Sequence, residues 1–156
     1  MGNLRVKDHI VLFDDADEVI IEAYQWHLHI SGTNKYARGY LRGSGGKKQI
    51  YMHRLLAKPA LGEEVDHRNG SGLDNRRENL RCCNRSQNNA NRKFIASSTG
   101  VKGVHFESYT GKWRAEIQLN GKRYRLGRFE TQDAAAEAYR TAALKLFGEF
   151  TSHHAS

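Results

Sequence analysis

Val65 to Asn91 reads VDHRNGSGLDNRRENLRCCNRSQNNAN, and this stretch decides the fold and the chemistry expected of the chain. It sets Asp66 beside His67, then places carboxamides at Asn79 and Asn88 within an arginine-rich frame. A carboxylate and a carboxamide oxygen suit a hard divalent cation such as Mg²⁺, or Mn²⁺ in its place, which takes oxygen ligands and keeps several waters. An imidazole with an ordinary pKa of roughly 6.5 accepts a proton from water near neutral pH. Arginines nearby hold flanking phosphates. The combination is what metal-assisted phosphodiester cleavage requires. Read singly, Asn69-Gly70 and Asp74-Asn75 are turn formers. Asn84, Asn89 and Asn91 compete with Asn88, because a polar helix start favours Asn.

The spacing of Asp66, His67, Asn79 and Asn88 resembles the HNH, or ββα-metal, nuclease motif of phage-type homing endonucleases. The resemblance implies a first strand closing at Val65-Asp66-His67, a second at Asn79-Leu80-Arg81-Cys82-Cys83 and a helix from Ser86 to Arg92. It further implies that Asp66 and Asn88 hold the metal and that His67 is the general base. Asn79 would tie the loop and orient His67. His53, Arg54 and Arg81 are expected to support these groups or to contact phosphate.

The chain's 156 residues allow one or two small domains. With 38% apolar residues and a mean hydropathy of −0.74, no single large core is expected. No apolar run approaches the ~20 residues of a membrane span, and no signal peptide opens the chain. The expectation is a soluble protein of the cytoplasm of a bacterial or phage-infected cell, with a monomer favoured. Cys82 and Cys83 are adjacent, so neither a zinc knuckle nor an intramolecular disulfide follows.

The net charge of +8 is unevenly spread. Residues 1–30 carry two basic and six acidic side chains, whereas residues 31–63 carry seven basic against one acidic and residues 93–130 eight against three. Basic charge in the middle of the chain fits a surface that follows a phosphate backbone. The acidic N-terminus reads as a solvated face.

Along the first fifty residues, Ile10 to Phe13 reads as a strand stopped by Asp14-Asp15. Val19 to Trp26 fits a helix or a strand equally. Tyr36–Arg42 and Lys48–Met52 flank a glycine-rich turn as a hairpin. A short helix begins at His53 and ends near Pro59.

Downstream, VKGVHFESYTGKWRAEIQLNGKRYRLGRFET, from Val101, alternates with period two. Trp113, Ala115, Ile117 and Leu119 share one face, while Lys112, Arg114, Glu116 and Gln118 share the other. Asn120-Gly121 is a two-residue hairpin turn, Thr131 is a helix cap and Gly148 a helix stop. Trp113 belongs with the core, since it shares a face with Ile117.

Gly103-Val104, Gly111-Lys112-Trp113, Ala115-Glu116-Ile117, Leu126-Gly127, Phe129 and the following alanine-rich helix resemble the DNA-binding domain of plant ethylene-response factors. The resemblance implies a three-stranded antiparallel sheet packed on one helix and laid in the major groove of double-stranded DNA. The DNA-facing set is then Lys102, His105, Arg114, Glu116, Gln118, Arg123 and Arg125. Glu107, Gln118, Arg125 and His105 depart from the plant pattern, so plant target specificity does not carry over.

The expected architecture is α+β: an HNH domain over 1–92, with N-terminal strands in 1–50 and a catalytic core over about 51–92, then a linker over 93–99 and the DNA-binding domain over 100–156. The expected function is a metal-dependent, homing-type DNA endonuclease. The competing reading is a non-cutting DNA-binding regulator with a decayed nuclease motif.

Overall fold

Apolar alternation over the first residues builds a hairpin in the computed structural model, which describes residues 1–46, 48–91 and 100–151. Strands β1 (Gly2–Val6) and β2 (His9–Phe13) pair antiparallel. Val11 and Phe13 point inward while Ile10 stays exposed, as a period-two strand demands. The chain divides into two compact units, Met1–Asn84 and Arg85–Ser156, and the expected linker over 93–99 lies outside the described residues. Mixed α and β structure runs through both, as short helices and small antiparallel sheets.

In the first unit, Val19 to Trp26 resolves into both of its readings. Helix α1 spans Glu18–Glu22 and strand β3 spans Tyr24–Ser31. The Trp26 indole N–H donates to the Ile21 carbonyl at 2.8 Å, tying strand to helix. Strand β3 joins β4 (Asn34–Leu41) and β5 (Gln49–Tyr51) in an antiparallel sheet with β4 central. Helix α2 (Met52–Ala57) follows at once and ends on Lys58 in the left-handed region. Val6, Val11, Phe13, Ile21, Ala37, Met52 and Leu56 form the core, with Leu73 and Leu80 packed on it. Strands β6 (Glu64–His67) and β7 (Leu80–Cys83) complete the unit as an antiparallel pair. Strand alternation separates the two cysteines: Cys83 is buried and Cys82 exposed.

The second unit opens with helix α3 (Arg85–Asn91). Strands β8 (Val104–Glu107), β9 (Lys112–Leu119) and β10 (Lys122–Phe129) make an antiparallel sheet with β9 central, and helix α4 (Gln132–Phe147) packs on it. Asn120 and Gly121 both take positive φ, 50° and 78°, which matches the right-handed twist of the strands they join. Val104, Ala115, Ala135 and Ala136 form the core, with Trp113, Leu126, Phe129 and Tyr139 against it. The small alanines let helix and sheet approach closely. The Thr131 side chain accepts from the Ala134 amide at 3.2 Å, and Gly148 caps the helix end with φ 52°.

Gly103 is where that close approach is tightest. Its φ is +71°, and a Cβ there would lie 2.4 Å from the Glu116 carbonyl oxygen and 2.4 Å from the Tyr139 ring. Gly111 has a similar φ of +68° but open space around it. Gly111→Ala should therefore cost about 1–2 kcal/mol, the penalty of left-handed backbone alone. Gly103→Ala should cost clearly more, because a backbone carbonyl must also move. Thermal unfolding of the two variants, read at Trp113, checks the ordering, and equal losses would refute it.

Candidate active site

Pairing of β6 with β7 sets Asp66 directly across from Arg81 and His67 across from Leu80. Directly opposed residues share a sheet face, so the register alone brings the acid and the guanidinium together. Both Arg81 Nε and Nη2 reach Asp66 Oδ2, at 2.8 and 2.7 Å, and both side chains are buried. Buried charges persist in such a place when they are paired and hydrogen-bonded. Arg81 is thereby committed to orienting Asp66, rather than extended toward solvent where a phosphate would meet it.

The loop of residues 68–79 between these strands carries no regular structure, so its polar groups need partners of another kind. Asn79 supplies them. Its Oδ1 accepts from the Asn69 amide at 3.0 Å, its Nδ2 donates to the Asp74 carbonyl at 2.7 Å, and its own carbonyl accepts from the Arg68 amide at 2.9 Å. Asp74 completes the knot, accepting from Asn69 Nδ2 at 2.9 Å and from Arg76 Nε and Nη2 at 2.8 and 2.7 Å. These bonds with Arg76 hold the Asp74 carboxyl below the usual carboxylate range. The reading of Asp74-Asn75 as a plain turn is therefore corrected: both residues are buried. The Asn75 amide donates to the Leu12 carbonyl, and the Leu12 amide to the Leu73 carbonyl, both at 2.8 Å, so the loop adds to the edge of the N-terminal hairpin.

A second correction concerns the acidic N-terminus. Asp17 is buried and pairs with Arg77, while Asp14 Oδ2 accepts from the Arg77 amide at 2.8 Å. These carboxylates hold the loop after β6; they are not a solvated face. Sequence reading missed them because the partners stand 60 residues apart or more.

His67 is buried beside His53, which stands in the first turn of α2, with ring centroids 5.1 Å apart and edge to face. His53 stacks on Tyr51 at 5.3 Å and meets Tyr36 edge-on at 5.6 Å, while Tyr36 lies 6.1 Å from His67. Burial, with His67 and Arg54 nearby, pushes His53 down to about 3. It is uncharged at neutral pH and braces the His67 ring, so it is no cationic phosphate contact. Burial also lowers His67, against the smaller opposing pull of Asn75, Asp66 and Asp74. A neutral imidazole is the form able to take a proton. Arg54 is exposed on α2, 3.4 Å from the Glu63 carbonyl.

Among the described residues no group of three His, Cys, Asp or Glu gathers as a metal cluster. One carboxylate with carboxamide and phosphate oxygens is nonetheless a sufficient donor set for a Mg²⁺-like ion, which binds through one or two carboxylates plus substrate. A thiolate site is disfavoured, since burial pushes Cys83 up to about 12. Asn88 stands half-buried in the middle of α3, with Asn84 and Asn89 exposed around it and Asn91 buried.

The second unit carries the sequence-predicted DNA-facing residues on one sheet face, Lys102 excepted. Register pairs His105 with Arg114, Arg125 with Glu116 and Arg123 with Gln118. The face is laced by two acids. Glu107, buried, takes Arg114 at 2.9 Å and Arg128 at 2.6 Å, and Arg128 chiefly holds its carboxyl below the usual range. Glu116 lies 3.4 Å from Arg114, 3.6 Å from Arg123 and 3.8 Å from His105. Arg128 was not anticipated on this face. A bulge between Arg125 and Gly127 shifts the alternation by one, setting Arg128 across from Arg114. The only sequence signal for it is Gly127 inside a strand pattern. Lys102 lies elsewhere, at the end of α3, where its ammonium reaches the Asn89 and Ala90 carbonyls.

Comparison with known proteins bears on both units. Residues 51–90 match a family model described as HNH endonuclease. The chain is 28% identical over 137 residues to "Uncharacterized HNH endonuclease L560" of Acanthamoeba polyphaga mimivirus, covering 85% of this chain and 68% of that one. It is 30% identical over 90 residues to Protein 3.8 of Escherichia phage T7, covering 57% of this chain and 74% of that one. To APETALA2-like protein 2 of Oryza sativa subsp. japonica it is 45% identical over 51 residues, 33% of this chain and 12% of the plant protein. No solved structure matches the chain.

The buried histidines make stability depend on pH. His53 falls from its usual 6.5 to about 3 and His67 is lowered too, so the unfolded chain binds more protons than the folded one below pH 6.5. Stability of the first unit should be full above that pH and fall as pH drops toward 3, by up to about 1.4 kcal/mol per pH unit for each histidine. His53→Phe should flatten the slope by one histidine's share. Urea unfolding from pH 4 to 7 in a Trp113→Phe background, with Trp26 as reporter, measures it; an unchanged slope would refute the assignment.

Proposed function

We propose, for a chain that belongs to the same family as Protein 3.8 of Escherichia phage T7 and carries an HNH endonuclease domain over residues 51–90, that its activity is metal-dependent hydrolysis of DNA phosphodiester bonds, of the homing type. HNH nucleases generally use a divalent metal ion. The observation that carries the reading is the junction of β6 and β7. There a buried, neutral His67 adjoins an Asp66 whose carboxylate is oriented by Arg81, within the matched residues.

His67 takes the proton from the attacking water, which approaches phosphorus in line with the departing 3′ oxygen. Asp66 and Asn88 would hold Mg²⁺ or Mn²⁺, which when bound offsets the negative charge developing on the phosphoryl and leaving oxygens. Arg81 holds Asp66 in one orientation, and Asn79 with Asp74 fixes the loop that follows His67. His53 and Tyr36 limit rotation of the His67 ring from one side. The sheet of the second unit binds double-stranded DNA and selects the site. Arg123, Arg125 and Gln118 are its exposed polar reach, and Glu107 and Glu116 set the spacing of the arginines. The same reading has the chain act as a monomer in the cytoplasm of a bacterial or phage-infected cell.

His67→Ala should slow cleavage by roughly 10²–10⁴-fold, the usual contribution of a positioned base, with DNA binding retained. Asp66→Ala and Asn88→Ala should raise the Mg²⁺ concentration needed, whereas Asn84→Ala and Asn89→Ala should be much milder. Single-turnover nicking of plasmid DNA against Mg²⁺ concentration reads all five. Wild-type turnover in His67→Ala would remove the base assignment. A wild-type chain that binds DNA but leaves it intact in Mg²⁺ would favour the non-cutting reading.

Arg123→Ala and Arg125→Ala test the sheet. For each phosphate that the sheet ceases to neutralise, the slope of log affinity against log salt should become shallower by roughly 0.9. Titrations at several salt concentrations read this directly, and an unchanged slope and affinity in the double variant would remove the sheet as the DNA-binding element.

A further inference from the structure

Helix α3 is a poor helix by itself. Its seven residues, RSQNNAN, are rich in Ser and Asn, which have weak helix propensity. Isolated helices shorter than ~12–15 residues are marginal in water. Something must hold it, and the second unit grips both ends. At the start, Ser86 Oγ accepts from the Asn120 amide at 2.7 Å and donates to Asn120 Oδ1 at 3.2 Å. Asn120 is the first turn residue of the β9–β10 hairpin, and its left-handed φ of 50° fixes where that amide points. At the end, Lys102 Nζ donates to the Asn89 and Ala90 carbonyls, the latter at 3.1 Å. Those carbonyls are the orphan acceptors of a helix terminus, where a cation is also favoured by the dipole. Lys102 is itself anchored between Val101, which packs on the second core, and Gly103, which is wedged under Tyr139.

We propose that Ser86, Asn120 and Lys102 are positioning residues for Asn88, the residue read above as a metal ligand, and so set how tightly its carboxamide holds the cation. The proposal rests on the reading of Asn88 as a ligand. Asn88 lies between the two grips, two residues after Ser86 and one before Asn89. Loosening either grip frees the helix to fray and disperses the carboxamide over many orientations. The resulting loss is in cation affinity, not in the chemistry of His67 or in the strength of DNA binding. The hairpin turn that holds Ser86 is flanked by Gln118 and Arg123, so the surface proposed to meet DNA and the grip on α3 are one element.

The test uses the full chain in a His67→Ala background, where cutting is slowed, saturated with duplex DNA, with Mn²⁺ binding read from the paramagnetic resonance of the free ion. Ser86→Ala and Lys102→Met should each weaken Mn²⁺ binding roughly tenfold, as loss of a ligand's supporting partner does. Ser86→Thr, which keeps the hydroxyl, should restore it. Asn88→Ala should weaken binding too, and adding Ser86→Ala to it should cost nothing further. Amide exchange along α3 should quicken in Ser86→Ala and Lys102→Met alone. If Asn88→Ala weakens Mn²⁺ binding while Ser86→Ala and Lys102→Met leave it unchanged, the grip is structural only and the proposal is overturned. Additive losses in the double variant would overturn it as well, by showing general destabilisation. An unchanged affinity in Asn88→Ala would remove the ligand assignment and this proposal with it.

Discussion

The bond from Asn79 Nδ2 to the Asp74 carbonyl, 2.7 Å long and buried, closes a loop that otherwise has no reason to hold one shape. Twelve residues separate β6 from β7, and a free loop of that length would leave the strand end and its side chains ill-defined. Asn79, Asn69 and Asp74 replace secondary structure with side-chain hydrogen bonds, and Arg76, Arg77, Asp14 and Asp17 tie the result down. The chain leaving Asp66 and His67 is held in place by these bonds.

Burial then selects chemistry from that rigidity. His67, His53, Tyr36 and Tyr51 form a ring cluster in which charge is costly, so the imidazoles remain neutral. Asp66, the residue before His67, is faced across the ladder by Arg81, which pairs with its carboxylate. One β-pair thus places a carboxylate held by a guanidinium and a buried imidazole on consecutive residues.

The second unit treats its charges in a comparable way. A face with several arginines would repel itself, and Glu107 and Glu116 relieve this by bridging them. Such bridging also fixes guanidinium directions.

Much was legible without coordinates. Alternation around Trp113 and Ile117, the Asn120-Gly121 turn, the Thr131 cap and the Gly148 stop all follow from local rules of backbone and side chain, and the structure has each of them. Asp66, His67, Asn79 and Asn88 could be singled out as a set because their chemistry and spacing lie within one short stretch. Tertiary structure alone decided the rest. Asp14 and Asp17 are loop anchors, Arg81 is bound to Asp66, Arg128 joins the arginine face through a bulge, and Lys102 caps α3. Each of these depends on a partner distant in sequence or on a shift of register, and residue type carries no record of either. Local sequence sets what a side chain can do; the contacts that burial creates set which of those things it does.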